Sequence, residues 1–233
     1  MKPFWIFLFG AACALLCMPA GPCRAAASAK IAIPALAAAM QERYAQVETF
    51  RAPFTQELTH KESGAKDVRS GMLIFQRPLR IRWETSAPAQ ELLVVTDKEI
   101  WNYLPEDKLA IRYAPDLAKD SRSIIQVVTG QSRLDKDFTV EERGREGDLV
   151  ILGLYPHEPT VQFTEGRLWV NAKTRFIHRA AVTDFYGNSN DITLGEMALN
   201  LSFPAETFNF VPPAGVRVEN HAQTGESGNP LLR

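Results

Sequence analysis

Leu73-Ile74-Phe75-Gln76-Arg77-Pro78-Leu79-Arg80-Ile81-Arg82-Trp83 is the stretch whose reading decides the fold. Every second residue in it is apolar except Arg77. A period of two is the pattern of a strand with one buried face. If that register holds throughout, Arg77 points into the apolar side of a sheet. A buried charge without a partner is strongly destabilising, so Arg77 would then need acceptors: backbone carbonyls, a carboxylate or a ligand. Its several N–H donors could pin a mobile element through that element's backbone. Alternatively, Pro78 breaks the register through a bulge or a turn and puts Arg77 in water. Periodicity leaves both readings open.

The same period runs outward in both directions. Phe50, Ala52, Phe54, Gln56 and Leu58 alternate with Arg51, Pro53, Thr55 and Glu57, and Gly64 marks a turn. Leu93 and Val95 lead into a turn at Thr96-Asp97-Lys98-Glu99, then a strand over Ile100 to Leu104. Pro105-Glu106-Asp107-Lys108 turns the chain again before Leu109-Ile111-Tyr113. Further strands are expected over 138–143, 149–155, 167–171, 176–185 and 191–201, with hairpin turns at 144–148 and 187–190. Short strands at regular spacing argue for a meander rather than βαβ units.

One helix precedes the strands and a second interrupts them. Leu36, Met40, Tyr44 and Val47 recur at three- and four-residue spacing behind Pro34, which suits a first-turn position. A second helix is expected where Asp120 or Ser121 can cap, Ile124, Ile125, Val127 and Val128 form one apolar face, and Gly130 can end the segment. The reading is mainly β, with roughly ten or eleven strands. A sheet that large tends to curl into a barrel or partial barrel with a hollow on its concave side. No repeat and no linker appears, so 31–218 reads as one domain and 219–233 as a loose tail.

The chain has 233 residues, 26 Lys+Arg against 27 Asp+Glu, and a net charge of −1. That balance gives no electrostatic case for nucleic acid. Met1–Ala29 has the form of an export signal: Lys2, an uncharged and mostly apolar run from Phe4 to Met18, then small residues that suit cleavage after Ala27 or Ala29. Losing Lys2 and Arg24 with it takes the net charge from −1 to −3. All 3 cysteines, Cys13, Cys17 and Cys23, lie in that segment, so the mature chain would have no thiol for catalysis, disulfides or zinc. Neither Gly21-Pro22-Cys23 nor Ala11-Ala12-Cys13 makes a good lipid-attachment site.

Motifs for catalysis or metal binding are otherwise absent from the sequence. His60, His157, His178 and His221 are scattered, without the spacing of metal ligands. No G-x-S-x-G elbow, phosphate loop or P-loop lysine is present. The reading is of a non-enzyme without cofactor or metal.

Four segments, in order, carry a family resemblance. They are Val47-Glu48-Thr49-Phe50-Arg51-Ala52-Pro53-Phe54-Thr55-Gln56; Gly71-Met72-Leu73-Ile74-Phe75-Gln76-Arg77-Pro78 with Trp83; Thr96-Asp97-Lys98-Glu99-Ile100-Trp101-Asn102-Tyr103; and Phe208-Asn209-Phe210-Val211-Pro212-Pro213-Ala214-Gly215-Val216. Behind a signal peptide, they resemble the LolA family of periplasmic carriers that ferry lipoproteins from inner to outer membrane in Gram-negative bacteria. Ile81 stands where some members have Phe, and Lys98 replaces a turn glycine.

The resemblance implies an incomplete antiparallel β-barrel with a helical lid over an apolar cavity. It implies that Arg77 bonds to the lid and holds the empty cavity shut. The cavity lining would be Phe54, Leu73, Phe75, Leu79, Ile81 and Trp83. The lid face would be Leu36, Met40, Tyr44 and Val47 with Ile124, Ile125, Val127 and Val128. The implied partners are acylated lipoproteins as cargo, an inner-membrane LolCDE-type transporter and a LolB-type outer-membrane receptor. The expected protein is a soluble periplasmic monomer.

Three rival readings stand beside this one. A LolB-like receptor should carry a lipidated Cys at its mature start. An envelope-stress sensor of similar half-barrel fold usually carries an extra carboxy-terminal domain. A small periplasmic hydrolase would need a nucleophile–base pair or a metal site.

Overall fold

Thirteen strands form one sheet in the computed structural model, which describes residues 34–115 and 123–221. Met1–Ala29, Asp120 and Ser121 lie outside the described residues. In chain order the strands are β1 (Thr49–Thr59), β2 (Lys66–Gln76), β3 (Arg80–Ala87), β4 (Glu91–Val95), β5 (Ile100–Leu104), β6 (Leu109–Tyr113), β7 (Phe138–Glu146), β8 (Leu149–Pro156), β9 (Glu165–Asn171), β10 (Ile177–Thr183), β11 (Ser189–Leu194), β12 (Ala198–Leu199) and β13 (Arg217–Asn220). Across the sheet the order is β13-β6-β5-β4-β3-β2-β1-β11-β10-β9-β8-β7, with β12 beside β1. The two end strands, β13 and β7, are not joined, so the barrel is incomplete as expected.

β1 shows why the sheet has an inside. Phe50, Ala52, Phe54, Gln56 and Leu58 are buried, while Arg51, Pro53 and Thr55 are exposed. Most of the strands contribute buried apolar residues of this kind, and these merge into one apolar cluster. That cluster takes residues from both wings of the sheet, among them Ile111 on β6 and Leu152 on β8, together with the helices. The sheet therefore curls round the helices, which occupy its hollow.

The helices are α1 (Ala35–Ala45), α2 (Ile124–Val128) and α3 (Leu134–Asp137). Pro34 stands directly before α1. The cap of α2 is Ser123, whose hydroxyl accepts from the Gln126 N–H at 3.3 Å. α2 does not have the single apolar face expected of it. Ile124, Ile125, Gln126, Val127 and Val128 are all buried, because four apolar residues in one turn and a half point all round the axis. The short α3 has no apolar period, so periodicity does not predict it.

Several expectations are corrected. The strand count exceeds ten or eleven, and the sheet is not wholly antiparallel: β13 runs parallel to β6. Glu219 and Asn220, expected in a tail, complete β13 opposite Ile111 and Arg112. His221 N–H follows by donating to the Arg112 carbonyl at 2.8 Å. The strand expected over 191–201 is split into β11 and β12. The cause is Pro53, which cannot donate to a ladder. Its carbonyl instead accepts from Gly195 N–H at 2.8 Å, and a Cβ on Gly195 would come within 2.6 Å of the Pro53 ring.

The chain between β12 and β13 packs on the outside of the sheet. Phe210 lies 5.6 Å from the Trp101 ring and 5.2 Å from that of Tyr103, and Arg82 donates to the Thr207 carbonyl. This strap gives β3 to β5 a covered outer face, which explains why Val94 and Val95 are both buried.

Candidate functional site

The quoted alternating stretch is not one strand. It is the β2–β3 hairpin, with Phe75 opposite Ile81, Leu73 opposite Trp83, and a turn at Arg77-Pro78-Leu79. Pro78 does break the strand, yet Arg77 is not left in water. It is half-buried and donates to both lid helices or their ends. Its Nε donates to the Val47 carbonyl at 2.9 Å, and Nη2 to the Tyr44 carbonyl at 2.6 Å. Nη1 donates to Gln131 Oε1 at 3.3 Å. The Arg77 backbone N–H adds a bond to the Glu48 carbonyl at 2.9 Å.

The acceptors explain the choice of residue. The last carbonyls of a helix lack intrahelical donors and carry partial negative charge. A guanidinium satisfies two acceptors near the end of α1 and a third beyond α2 from one planar group. Lysine would offer one point charge and could not match that fork.

The lid is also tied to itself. Gly130 closes α2 with φ +66°, and a Cβ there would lie 2.3 Å from the Tyr44 ring. Gln41 of α1 donates to the Ser132 carbonyl at 3.3 Å. The Tyr44 hydroxyl reaches across to β10 and accepts the Ile177 N–H at 3.2 Å. Burial pushes that hydroxyl's pKa well above the ordinary tyrosine range, so it stays protonated.

The sequence-based site residues divide as follows. Phe54, Leu73, Phe75, Ile81 and Trp83 are buried on the inner face. Leu79 is different: it sits in the turn, only partly buried against the core. Met40, Tyr44, Val47, Ile124, Ile125, Val127 and Val128 are buried in the same cluster, with Leu36 packed at its edge. Val47 lies just beyond α1, which ends at Ala45. Sequence reasoning misses Gln131 and Gln41, since neither belongs to a periodic pattern, and it expects Gly130 as the end of the second helix but not its contact with Tyr44. It also misses Asn102 as a site residue. Asn102 is 1 % exposed on the inner face, and its Oδ1 has no hydrogen-bond partner among the described residues.

Among the described residues there is no group of three His, Cys, Asp or Glu that could hold a metal. His157 meets the Lys136 carbonyl, while His221 stands edge-on to Tyr113 and beside Glu219. No described helix is long and apolar enough to cross a membrane. What the site offers is a broad apolar face, two helices laid over it, and one cation that ties them down.

A family model described as "Outer membrane lipoprotein carrier protein LolA" matches residues 45–211. The chain belongs to the LolA family. An outer-membrane lipoprotein carrier protein of Chromobacterium violaceum is 31% identical over 197 residues, covering 83% of this chain and 93% of that one. A protein of the same name from Dechloromonas aromatica is 26% identical over 171 residues, covering 73% and 80%. Among solved structures, an uncharacterized conserved protein from Thermus thermophilus superposes with a TM-score of 0.52 at 15% identity, covering 79% of this chain and 99% of that one. That last likeness concerns the fold alone. The LolA-family match takes in Arg77, its hairpin and Gln131, and it begins at the last residue of α1.

Proposed function

We propose that this protein carries the acyl chains of lipoproteins across the periplasm. It takes them from an inner-membrane LolCDE-type transporter and hands them to a LolB-type outer-membrane receptor. The observation that carries this reading is the set of Arg77 bonds fastening both parts of the lid over an apolar concave wall, in a chain of the LolA family.

The physics gives such a device a purpose. Exposing a CH₂ to water costs about 0.8 kcal/mol, so an acyl chain of some fifteen carbons represents roughly 12 kcal/mol. A carrier must shelter that surface without holding it irreversibly. Here the lid's own side chains, Met40, Tyr44 and the α2 residues, fill the hollow in the closed state. Cargo would displace them and line Phe54, Leu73, Phe75, Ile81 and Trp83. The Arg77 bonds favour the closed, empty state and so weaken cargo binding enough for handover. The protein works as a soluble monomer after removal of Met1–Ala29, without catalysis or cofactor.

The test is release from membranes. Spheroplasts of a Gram-negative host depleted of its own carrier are incubated with the purified mature protein. Newly made outer-membrane lipoprotein is expected to appear in the supernatant as a one-to-one complex with it. Lipoprotein that stays with the spheroplasts, under conditions where the host's own carrier releases it, would refute the proposal.

A further inference from the structure

The rim that carries the β9–β10 hairpin holds a cleft of about 600 Å³, within the range of small-molecule sites. Its lining is basic. Arg43 from α1 and Lys173 and Arg175 from the hairpin line it, with Glu196 as the one acidic residue. That is a concentration of positive charge on a chain whose net charge is −1. Its apolar lining includes Phe176 and Met197.

Arg43 is held in place by a ring, and the three cations are little neutralised. The Arg43 guanidinium lies 4.9 Å from the centroid of the Phe176 ring, and among the described residues neither Arg43 nor Arg175 has a carboxylate partner. Lys173 meets Asp148 at 3.2 Å, but both side chains are largely exposed, and such a pair contributes little. The hairpin tip is preorganised: Asn171 Oδ1 accepts the N–H groups of Lys173 and Thr174, and Arg175 N–H donates to the Asn171 carbonyl. The cleft also touches the lid, because Phe176 meets Tyr44 edge-on at 5.4 Å.

We infer that this cleft binds the phosphodiester headgroup of an anionic, acyl-bearing lipid. The phosphate oxygens meet Arg43, Arg175 and Lys173, and the adjoining chain lies along Phe176 and Met197. Arginine suits this role because its fork matches phosphate oxygens in pairs. A free anion would not need the apolar wall, and a neutral lipid would not need the cations. The inference is independent of the carrier reading, since it concerns a headgroup at the rim rather than acyl chains under the lid.

The experiment is calorimetric titration of the mature protein with short-chain phosphatidylglycerol below its micellar concentration. Short-chain phosphatidylcholine and inorganic phosphate serve as comparisons. Co-sedimentation with long-chain vesicles, with and without phosphatidylglycerol, separates a single lipid from a bilayer surface as the source of the headgroup. Phosphatidylglycerol is expected to bind at least about tenfold more tightly than either comparison, and the double variant Arg43→Gln, Arg175→Gln to lose about tenfold. Single-lipid binding lost in that variant supports the inference, and so does binding only to phosphatidylglycerol vesicles that is lost in it. Equal binding of the two lipids, equal binding of inorganic phosphate, or unchanged binding by the variant overturns it. The single variant Arg175→Gln, at an exposed position, keeps the test valid if the double variant unfolds. Lipoprotein release measured on the same variants shows separately whether the carrier activity stands.

Discussion

Arg77→Leu is expected to free the lid while leaving the sheet folded. The substitution removes the bonds to the Tyr44 and Val47 carbonyls and to Gln131. Hydrogen bonds from a charged donor contribute about 1.5–3 kcal/mol each, and the three share one side chain, so a combined loss of about 3 kcal/mol is reasonable. That corresponds to roughly a hundredfold shift between closed and open lid. The hairpin itself stands on Leu73, Phe75, Ile81 and Trp83, which the substitution does not touch. Amide hydrogen exchange in α1 is therefore expected to quicken by about ten- to a hundredfold, with β1 and β2 little changed. Cargo should then be held more tightly, because the competing closed state is weaker, and delivery to acceptor membranes should slow. Unchanged exchange in α1 together with unchanged delivery would contradict the role given to Arg77. Arg77→Lys should fall between the two, since it keeps the charge and loses the fork.

Gly71→Ala is expected to damage the fold itself. A Cβ at this position would lie 1.8 Å from the Glu84 carbonyl oxygen, 2.8 Å from its carbon and 2.9 Å from Thr85 Cα. All three are backbone atoms of β3, so no side chain can swing away. The pairing of β2 with β3 shifts between Ser70 and Gly71, which brings the two backbones together here. Phe54, which pairs with Gly71, meets Trp83 of β3 across β2 at 4.5 Å. Overpacking of this kind costs about 3 kcal/mol or more. For a chain of this size the melting temperature should fall by about 10 °C. A thermal melt within about 2 °C of the wild type would show that the strands separate more easily than this close approach implies.

Strand character was legible where one face is buried and the other wet. β1 is the clearest case, because its alternating residues meet core and solvent in turn. The Arg77 stretch shows the limit of the same signal. Its turn has three residues, Arg77, Pro78 and Leu79, so Gln76 pairs with Arg80 and Phe75 with Ile81. An odd-numbered turn leaves parity unchanged, and the alternation continues through the hairpin as if it were one strand. Periodicity could therefore not say whether Arg77 faced core or water. The resemblance supplied the lid as its partner, and the bonds to Tyr44, Val47 and Gln131 are formed at the turn.

Other elements left no pattern to read. The segment after β12 buries Phe208 and packs Phe210 against the outer face of the sheet, but it does so without regular secondary structure over most of its length. β13 is mostly exposed, so it shows no alternation, and its parallel pairing comes from where the strap ends. Gln131 and Gly130 act through one hydrogen bond and one close packing contact, neither of which has a sequence period. Leu36, Met40 and Tyr44 were legible as an apolar helix face, and Ile124, Ile125, Val127 and Val128 only as an apolar run. Their place in the hollow follows from the curl of the sheet, which depends on all thirteen strands together.

The most direct measurement is native mass spectrometry of the protein purified from the periplasm of cells making outer-membrane lipoproteins. The account predicts a fraction of molecules carrying one triacylated lipoprotein, and a larger fraction when Arg77 is replaced by Leu. Protein that is reproducibly free of acylated cargo in both forms would contradict it.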